Sequence, residues 1–211
     1  MTARLVLATH NAHKLDELRD ILCGPHGVPG LAPEEIVSAA DLATPEPVED
    51  GVTFAENALI KARALAHAAG APVIADDSGI CVDVMGGAPG IFSARWAGRH
   101  GDDAANLDLL LAQLADVPDE HRGARFVCAA ALVTPGGGET VEIGEMPGTL
   151  LRERRGEGGF GYDPVLVPEG ETRSSAELSP AEKHALSHRG KAFRALVPAI
   201  ATALAAAPSP R

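Results

Sequence analysis

The sequence predicts a mixed α/β fold in which helices cover a sheet whose middle strands are antiparallel. Three features support this prediction: an apolar run followed by helical spacing near the N-terminus, a capping signal before an alanine-rich stretch, and two β-rich runs separated by glycines. The chain has 211 residues, 45% of them hydrophobic, with no internal repeat and no long linker. We therefore expect a single domain over residues 1–211.

The first half of the chain predicts strands that alternate with helices. Residues 4–9 are rich in Leu and Val, which is typical of a strand buried on both faces. Residues 15–22 then carry apolar side chains at helical spacing. Thr53-Phe54-Ala55-Glu56 is a capping box, and it predicts a long helix that ends near Ala69.

The next elements follow a break at Gly70-Ala71-Pro72. Residues 73–75 are predicted as a short strand that ends in Asp76-Asp77-Ser78-Gly79, and residues 80–84 as a second strand. Residues 103–114 are predicted as a helix.

The second half of the chain predicts a hairpin and a C-terminal helix. The β-rich runs at 125–134 and 139–146 are joined by Pro135-Gly136-Gly137-Gly138, as in a hairpin. Ser179-Pro180-Ala181-Glu182 is a second capping box. It predicts one helix that carries His188-Arg189 and bends at Pro198.

Composition excludes several classes of protein. The formal net charge of −11 argues against binding to duplex nucleic acid, which requires a basic surface. No stretch approaches the roughly 20 apolar residues of a membrane span, and the first apolar run is too short for a secretory signal. Three widely spaced cysteines indicate buried free thiols. We therefore expect a cytoplasmic protein.

Thr9-His10-Asn11-Ala12-His13-Lys14 lies where a strand is predicted to run into a helix. Free N–H groups and the positive end of the helix dipole suit phosphate at such a place, and Lys14 adds a cation. An ordinary turn with a capping Asn fits the same residues. Asn57 and Lys61 share one helical stripe, so Lys61 either reaches phosphate or is a solvated surface lysine.

Adjacent acids at the end of a buried strand are costly unless they are solvated, paired or bound to metal. Asp76 and Asp77 could supply the carboxylates that Mg²⁺ prefers, or they could form a solvated turn. Glu49, before the second helix, could be a further ligand or only a partner of the helix dipole.

Phe160-Gly161-Tyr162-Asp163 lies in a glycine-rich segment, where an aromatic ring could stack on a base or enter the core. His188-Arg189 could donate to a purine edge or form an exposed basic pair.

Six motifs together resemble the inosine/xanthosine triphosphate pyrophosphatase family, in family order and over nearly the whole chain. They are Leu7-Ala8-Thr9-x-Asn11-x-x-Lys14, Phe54-x-Glu56-Asn57-Ala58-x-x-Lys61-Ala62, Ala75-Asp76-Asp77-Ser78-Gly79, Gly86-Gly87-Ala88-Pro89-Gly90-x-x-Ser93-Ala94-Arg95, Gly159-Phe160-Gly161-Tyr162-Asp163-Pro164 and Ser187-His188-Arg189.

The resemblance implies an elongated two-lobed fold around a long curved mixed sheet, with a central nucleotide-binding cleft, and a homodimer. It implies Asp77 as the catalytic residue, and Asp77 and Glu49 as Mg²⁺ ligands. It implies contacts with a nucleoside triphosphate from the following residues: Thr9, His10, Asn11, Ala12, His13, Lys14, Lys61, Ser78, Arg95, Phe160, Gly161, Tyr162, Asp163, Lys183, His188 and Arg189.

The implied reaction is hydrolysis of deaminated purine nucleotides such as ITP, dITP and XTP to the monophosphate and pyrophosphate. Two alternatives stay open: a Maf-type pyrophosphatase for modified pyrimidine nucleotides, and a nucleotide-binding module without catalysis. The acidic residues Asp76, Asp77 and Glu49 argue against the second alternative.

Overall fold

The computed structural model describes residues 4–9, 12–42, 44 and 47–206, with the backbone alone at residues 12, 13, 67 and 68. Its strands are β1 (Leu5–Leu7), β2 (Ile36–Ser38), β3 (Val73–Val82), β4 (Gly123–Val133), β5 (Glu139–Leu150) and β6 (Leu166–Pro168). Its helices are α1 (Ala12–Cys23), α2 (Phe54–Ala69), α3 (Asp103–Gln113), α4 (Pro180–Leu186) and α5 (His188–Ala206).

The strands form one mixed sheet in the order β2-β1-β3-β4-β5-β6. β1 pairs in parallel with both β2 and β3, whereas β5 and β6 are antiparallel. β4 and β5 are joined by residues 134–138, where Thr134 N–H donates to the Gly138 carbonyl at 2.9 Å. Parallel neighbours need a much longer crossover, so this connection makes β4 and β5 antiparallel. The predicted hairpin and the mixed α/β class are confirmed.

β3 is one continuous strand, so the prediction of two short strands separated by an acidic turn was wrong. Gly79 allows the strand to continue because the buried Ser93 side chain packs directly against it. A Cβ at Gly79 would lie 2.4 Å from Ser93 Oγ. That hydroxyl also accepts the Ile80 N–H at 2.9 Å. Asp76 and Asp77 therefore lie inside a strand.

The C-terminal region forms two helices, α4 and α5, where the sequence predicted one. The predicted capping box at its start is confirmed, because Ser179 Oγ accepts the Glu182 N–H and Glu182 Oε2 accepts the Ser179 N–H. Ser187 then has extended backbone (φ −63°, ψ 148°), which ends α4. Pro198 lies inside α5.

The chain divides into two compact units. The first comprises the chain up to Asp77, Cys128–Gly144 and the chain from Arg189 onward, and the second comprises Ser78–Val127 and Glu145–His188. β3, β4 and β5 contribute residues to both units. No helix among the described residues is long and apolar enough to cross a membrane. Cys23, Cys81 and Cys128 are free thiols, with Cys23 partly exposed.

In the first unit, the sheet is covered on both faces, which explains the continuous apolar run of β1. Leu5 and Leu7 pack in one core cluster with α1 and α5. Val6 and Ala8 pack in a second cluster with α2. Side chains alternate between the faces of a strand, so a strand buried on both faces must be apolar at every position.

The core of the second unit packs α3 against β3, β4 and β5 and contains a buried arginine. Arg122 is 1% exposed. Its guanidinium donates to three main-chain carbonyls, with Nη1 to Leu114 O at 2.6 Å, Nε to Leu150 O at 2.9 Å and Nη2 to Leu151 O at 2.7 Å. One side chain thus satisfies carbonyls at the end of α3 and at the end of β5.

Replacing Arg122 should destabilise the protein strongly. In Arg122→Met, the three carbonyls lose the Arg122 donor. Leu114 O keeps the Val117 N–H, but Leu150 O and Leu151 O lose this partner, and each buried group left unsatisfied costs about 1–3 kcal/mol. We expect the free energy of unfolding, measured by urea denaturation, to fall by about 3 kcal/mol or more. Arg152→Met is the matched control, because Arg152 also donates to main-chain carbonyls but is half exposed, so water can replace it. Equal losses in the two variants would contradict this account.

Candidate active site

The alternation of β3 places Asp76 and Asp77 on opposite faces of the sheet. Ile74 packs in the cluster of α1 and α5, and Ala75 packs in the cluster of α2. Because side chains two residues apart share a face, Asp76 lies on the side of Ile74 and Asp77 on the side of Ala75. The two carboxylates therefore meet different helices.

Asp76 is buried between two cations. Its side chain is 1% exposed, and its carboxylate accepts Lys14 Nζ at 3.1 and 3.2 Å. Arg189 donates through Nε and Nη2, each 3.2 Å from Asp76 Oδ2. Burial by itself would raise the pKa of Asp76, but the charges of Lys14, Arg189 and Lys61 outweigh burial and hold this pKa well below its ordinary value.

Arg189 also contacts a second carboxylate, since its Nη1 donates to Glu17 Oε2 at 2.7 Å. The Arg189 side chain is 2% exposed, and its three donating nitrogens all contact Asp76 or Glu17. Arg189 therefore pairs with two acids, Asp76 and Glu17. Its implied contact with a purine base stays a prediction.

Asp77 lies on the face of α2. Lys61 Nζ donates to Asp77 Oδ1 at 3.0 Å and to Glu49 Oε2 at 3.3 Å, so both implied metal ligands contact one ammonium group. Asn57 Nδ2 lies 3.3 Å from the other Asp77 oxygen. The side chains of Asp77 and Lys61 are 14% and 13% exposed, whereas that of Glu49 is 33% exposed.

This environment shifts the pKa values of both Asp77 and Lys61. Burial raises the pKa of Asp77, and this effect exceeds the lowering by Lys61. Burial would lower the pKa of Lys61, but Asp77, Asp76 and Glu49 raise it above its ordinary value. A partly buried carboxylate with a raised pKa, held beside a protonated lysine, is typical of a functional site.

The pair Asp77 and Glu49 suits a hydrated divalent cation. Within the described part of the chain, no group of three or more His, Cys, Asp or Glu side chains could enclose a metal. Mg²⁺, however, commonly uses one or two carboxylates and takes its other ligands from water and phosphate. Two carboxylates that already converge on one cation, Lys61, meet that requirement.

The predicted phosphate turn is described in part. β1 ends at Leu7 and α1 begins at Ala12, so the expected succession of strand and helix is present. His10 and Asn11 lie outside the described residues, as do the side chains of Ala12 and His13. Thr9 precedes this gap, and Lys14 lies in the first turn of α1, bound to Asp76.

In the second unit, Phe160, Asp163 and Lys183 form a group. Phe160 is 39% exposed, and Lys183 Nζ lies 5.2 Å from the centre of its ring. Asp163 accepts Lys183 Nζ at 2.5 Å and the Phe160 N–H at 2.9 Å. An exposed aromatic ring can stack on a base, and an adjacent ammonium can donate to a base carbonyl. Gly161 N–H donates to Asp103 at 3.0 Å.

The remaining predicted residues of the second unit lie in separate surroundings. Tyr162 is buried, and its hydroxyl donates to the Ser93 carbonyl at 2.9 Å. Arg95 lies over the Phe92 ring at 5.4 Å, and His188 stacks on Phe126 with the ring centres 4.9 Å apart. Ser78 follows Asp77 in β3.

The sequence did not predict the roles of three residues in these groups, namely Asp76 as an anchor for cations, Glu17 and Asn57. Helical spacing in the sequence indicated the position of two of them. Glu17 lies three residues after Lys14 and Asn57 four residues before Lys61, so each shares a helix face with a predicted lysine. No local pattern distinguishes Asp76 from Asp77.

The neutral variants of the two aspartates should differ in stability. Because the pKa of Asp76 is lowered in the folded state, its ionised form stabilises the fold above about pH 4. Asp76→Asn leaves Lys14 and Arg189 without their shared anion, so we expect the free energy of unfolding at pH 7 to fall by about 3–5 kcal/mol.

Asp77→Asn is the matched control at the next position of the same strand. Its pKa is raised, so ionised Asp77 stabilises the fold less than ionised Asp76 does, and Lys61 keeps Glu49 as a partner in the variant. We therefore expect a loss of about 1 kcal/mol or less. Chemical denaturation of both variants checks the contrast. A larger loss for Asp77→Asn than for Asp76→Asn would show that the roles are reversed.

Comparison with known proteins identifies the family of this chain. The model of the Ham1 family matches residues 5–199. A dITP/XTP pyrophosphatase of Streptomyces coelicolor is 65% identical over 198 residues, which cover 93% of this chain and 96% of that protein. Another, of Corynebacterium efficiens, is 58% identical over 94% of this chain and 97% of that protein.

Two solved structures are similar over nearly their full length. The nucleoside-triphosphatase / dITP/XTP pyrophosphatase of Mycobacterium abscessus is 51% identical with a TM-score of 0.73, over 92% of this chain and 98% of that one. The HAM1 protein of Coxiella burnetii is 36% identical with a TM-score of 0.82, over 95% of this chain and 100% of that one. The match to the family model, together with these identities, shows that the chain belongs to the Ham1 family.

Proposed function

We propose that this chain is a Mg²⁺-dependent nucleoside triphosphate pyrophosphatase that acts on deaminated purine nucleotides such as dITP, ITP and XTP. The observation that carries the proposal is the convergence of Asp77 and Glu49 on the Lys61 ammonium group. The names of the Streptomyces and Corynebacterium relatives support the substrate class.

Asp77 is the residue best suited to activate water. It keeps a fixed position between Lys61 and Asn57, and an ionised carboxylate so held can accept a proton from water. In the proposed step, Asp77 takes a proton from a water molecule whose oxygen attacks the α-phosphorus. The bond from that phosphorus to the bridging oxygen breaks, and pyrophosphate leaves with the electron pair.

The charged residues of the first unit would accommodate the triphosphate. Asp77 and Glu49 would hold Mg²⁺, which when bound neutralises charge on the phosphate oxygens and the leaving group. Lys61 pairs with both carboxylates in this structure, and it would donate to a phosphate oxygen once they hold the cation. Lys14 lies at the start of α1, where the helix dipole also favours an anion.

Phe160 and Lys183 of the second unit offer a physical basis for base selection. Hypoxanthine and xanthine have a carbonyl at position 6, where adenine has an amino group. A stacking ring with a donor beside it favours the carbonyl, because the amino group of adenine cannot accept a hydrogen bond from Lys183. The contribution of His188, Arg189 and Arg95 to substrate binding stays a prediction, as do the homodimer and the cytoplasmic location.

A panel of nucleotides tests the proposed activity. With Mg²⁺, we expect pyrophosphate release from dITP, ITP and XTP at efficiencies at least about a hundredfold above that for ATP, since the 6-amino group cannot accept a hydrogen bond where the 6-carbonyl can. EDTA should abolish the release. Comparable efficiency on ATP would refute the substrate class, preference for modified pyrimidine nucleotides would indicate a Maf-type enzyme, and binding without release would indicate a non-catalytic module.

Replacing Asp77 tests the assignment of the base. Asp77→Asn retains the shape of the side chain but cannot accept the proton of the attacking water. We therefore expect kcat on dITP to fall by about 10²–10⁴-fold. Binding of a non-hydrolysable dITP analogue should change much less, because the lysines remain. Asp50→Asn serves as control, since Asp50 is an exposed acid beside Glu49. Turnover close to that of the wild type in Asp77→Asn would exclude Asp77 as the base.

A further inference from the structure

Asn57 joins the segment that carries Glu49 to the carboxylate of Asp77. It lies on α2, one turn before Lys61, and is 1% exposed. Its Oδ1 accepts the Gly51 N–H at 2.9 Å, and its Nδ2 lies 3.3 Å from Asp77 Oδ2. A single buried amide thus contacts the backbone two residues after Glu49 and the side chain of Asp77.

The contact with Gly51 is close enough to exclude a side chain there. A Cβ at Gly51 would lie 2.6 Å from Asn57 Oδ1 and 2.7 Å from the Cβ of Glu56. Only glycine lets the backbone lie directly against the amide, because any other residue would displace it. The position of the backbone beside Glu49 therefore depends on Asn57.

This contact also determines which end of the amide faces Asp77. A main-chain N–H can only donate, so the Gly51 contact requires the amide oxygen. The NH₂ group must then point towards Asp77. Asp77 accepts from Asn57 through Oδ2 and from Lys61 through Oδ1, and two donors on two oxygens restrict rotation of the carboxylate.

We infer that Asn57 is a positioning residue that aligns Asp77 with Glu49 for the proposed reaction. This inference rests on the proposed function. Partners that orient metal ligands contribute about 10–100-fold to metal affinity or activity. Asn57 acts on both acids at once, on Asp77 directly and on Glu49 through the backbone at Gly51.

The test compares Asn57→Ala with wild type. We expect kcat on dITP at saturating Mg²⁺ to fall by about 10–100-fold, with little change in KM, because Lys14 and Lys61 remain. A second measurement does not depend on turnover. The affinity for Mn²⁺, measured by electron paramagnetic resonance with a non-hydrolysable dITP analogue present, should fall about tenfold.

Glu56→Ala is the matched control, because Glu56 holds the same segment from the next position of α2. Its Oε2 accepts the Val52 N–H at 2.6 Å, and the side chain is exposed. Among the described residues, the only hydrogen bond of the Glu56 side chain is with the Val52 backbone. If Asn57 served only to anchor the segment, both variants would lose kcat and Mn²⁺ affinity equally. Our inference predicts a loss more than about threefold larger for Asn57→Ala.

Asn57→Asp keeps the inference testable if Asn57→Ala does not fold. The carboxylate retains the acceptor for Gly51 N–H but replaces the donor to Asp77 with a like charge. We therefore expect kcat to fall at least as far as in Asn57→Ala. A folded variant with kcat and Mn²⁺ affinity within about threefold of Glu56→Ala would overturn the inference. Failure of the wild type to release pyrophosphate from any nucleotide would instead overturn the proposed function.

Discussion

The first unit is organised by the alternation of side chains along β3. Two consecutive acids in one strand must point to opposite faces, so Asp76 meets Lys14 of α1 and Arg189 of α5, while Asp77 meets Lys61 and Asn57 of α2. A turn at this point would leave both carboxylates on the surface. Continuation of the strand through Gly79 therefore decides where the charges lie.

The two faces differ in their balance of charge. On the Asp76 side, the described ion pairs join two acids, Asp76 and Glu17, to two cations, Lys14 and Arg189. On the Asp77 side, they join two acids, Asp77 and Glu49, to Lys61. The first group balances its charge within the fold. The second has an excess of negative charge, which a divalent cation can balance and which fits the raised pKa of Asp77.

α2 organises the second group through one stripe of its surface. Asn57 and Lys61 are four residues apart and both contact Asp77, and Asn57 also holds Gly51. The Thr53 hydroxyl accepts the Glu56 N–H at 3.1 Å and fixes the start of this helix just after the Glu49 segment. The cap that begins the helix thus also places the segment that carries the second acid.

Residue patterns alone were sufficient to predict the mixed α/β class, the caps at Thr53 and Ser179 and the hairpin, because each depends on neighbours within a few positions. The motif order was sufficient to indicate the family. Separating the roles of Asp76 and Asp77 required the folded chain, because the partners of Asp76 lie 62 and 113 positions away. Local sequence makes Asp-Asp-Ser-Gly a turn, and only the distant cations and the packing of Ser93 against Gly79 make it part of a buried strand.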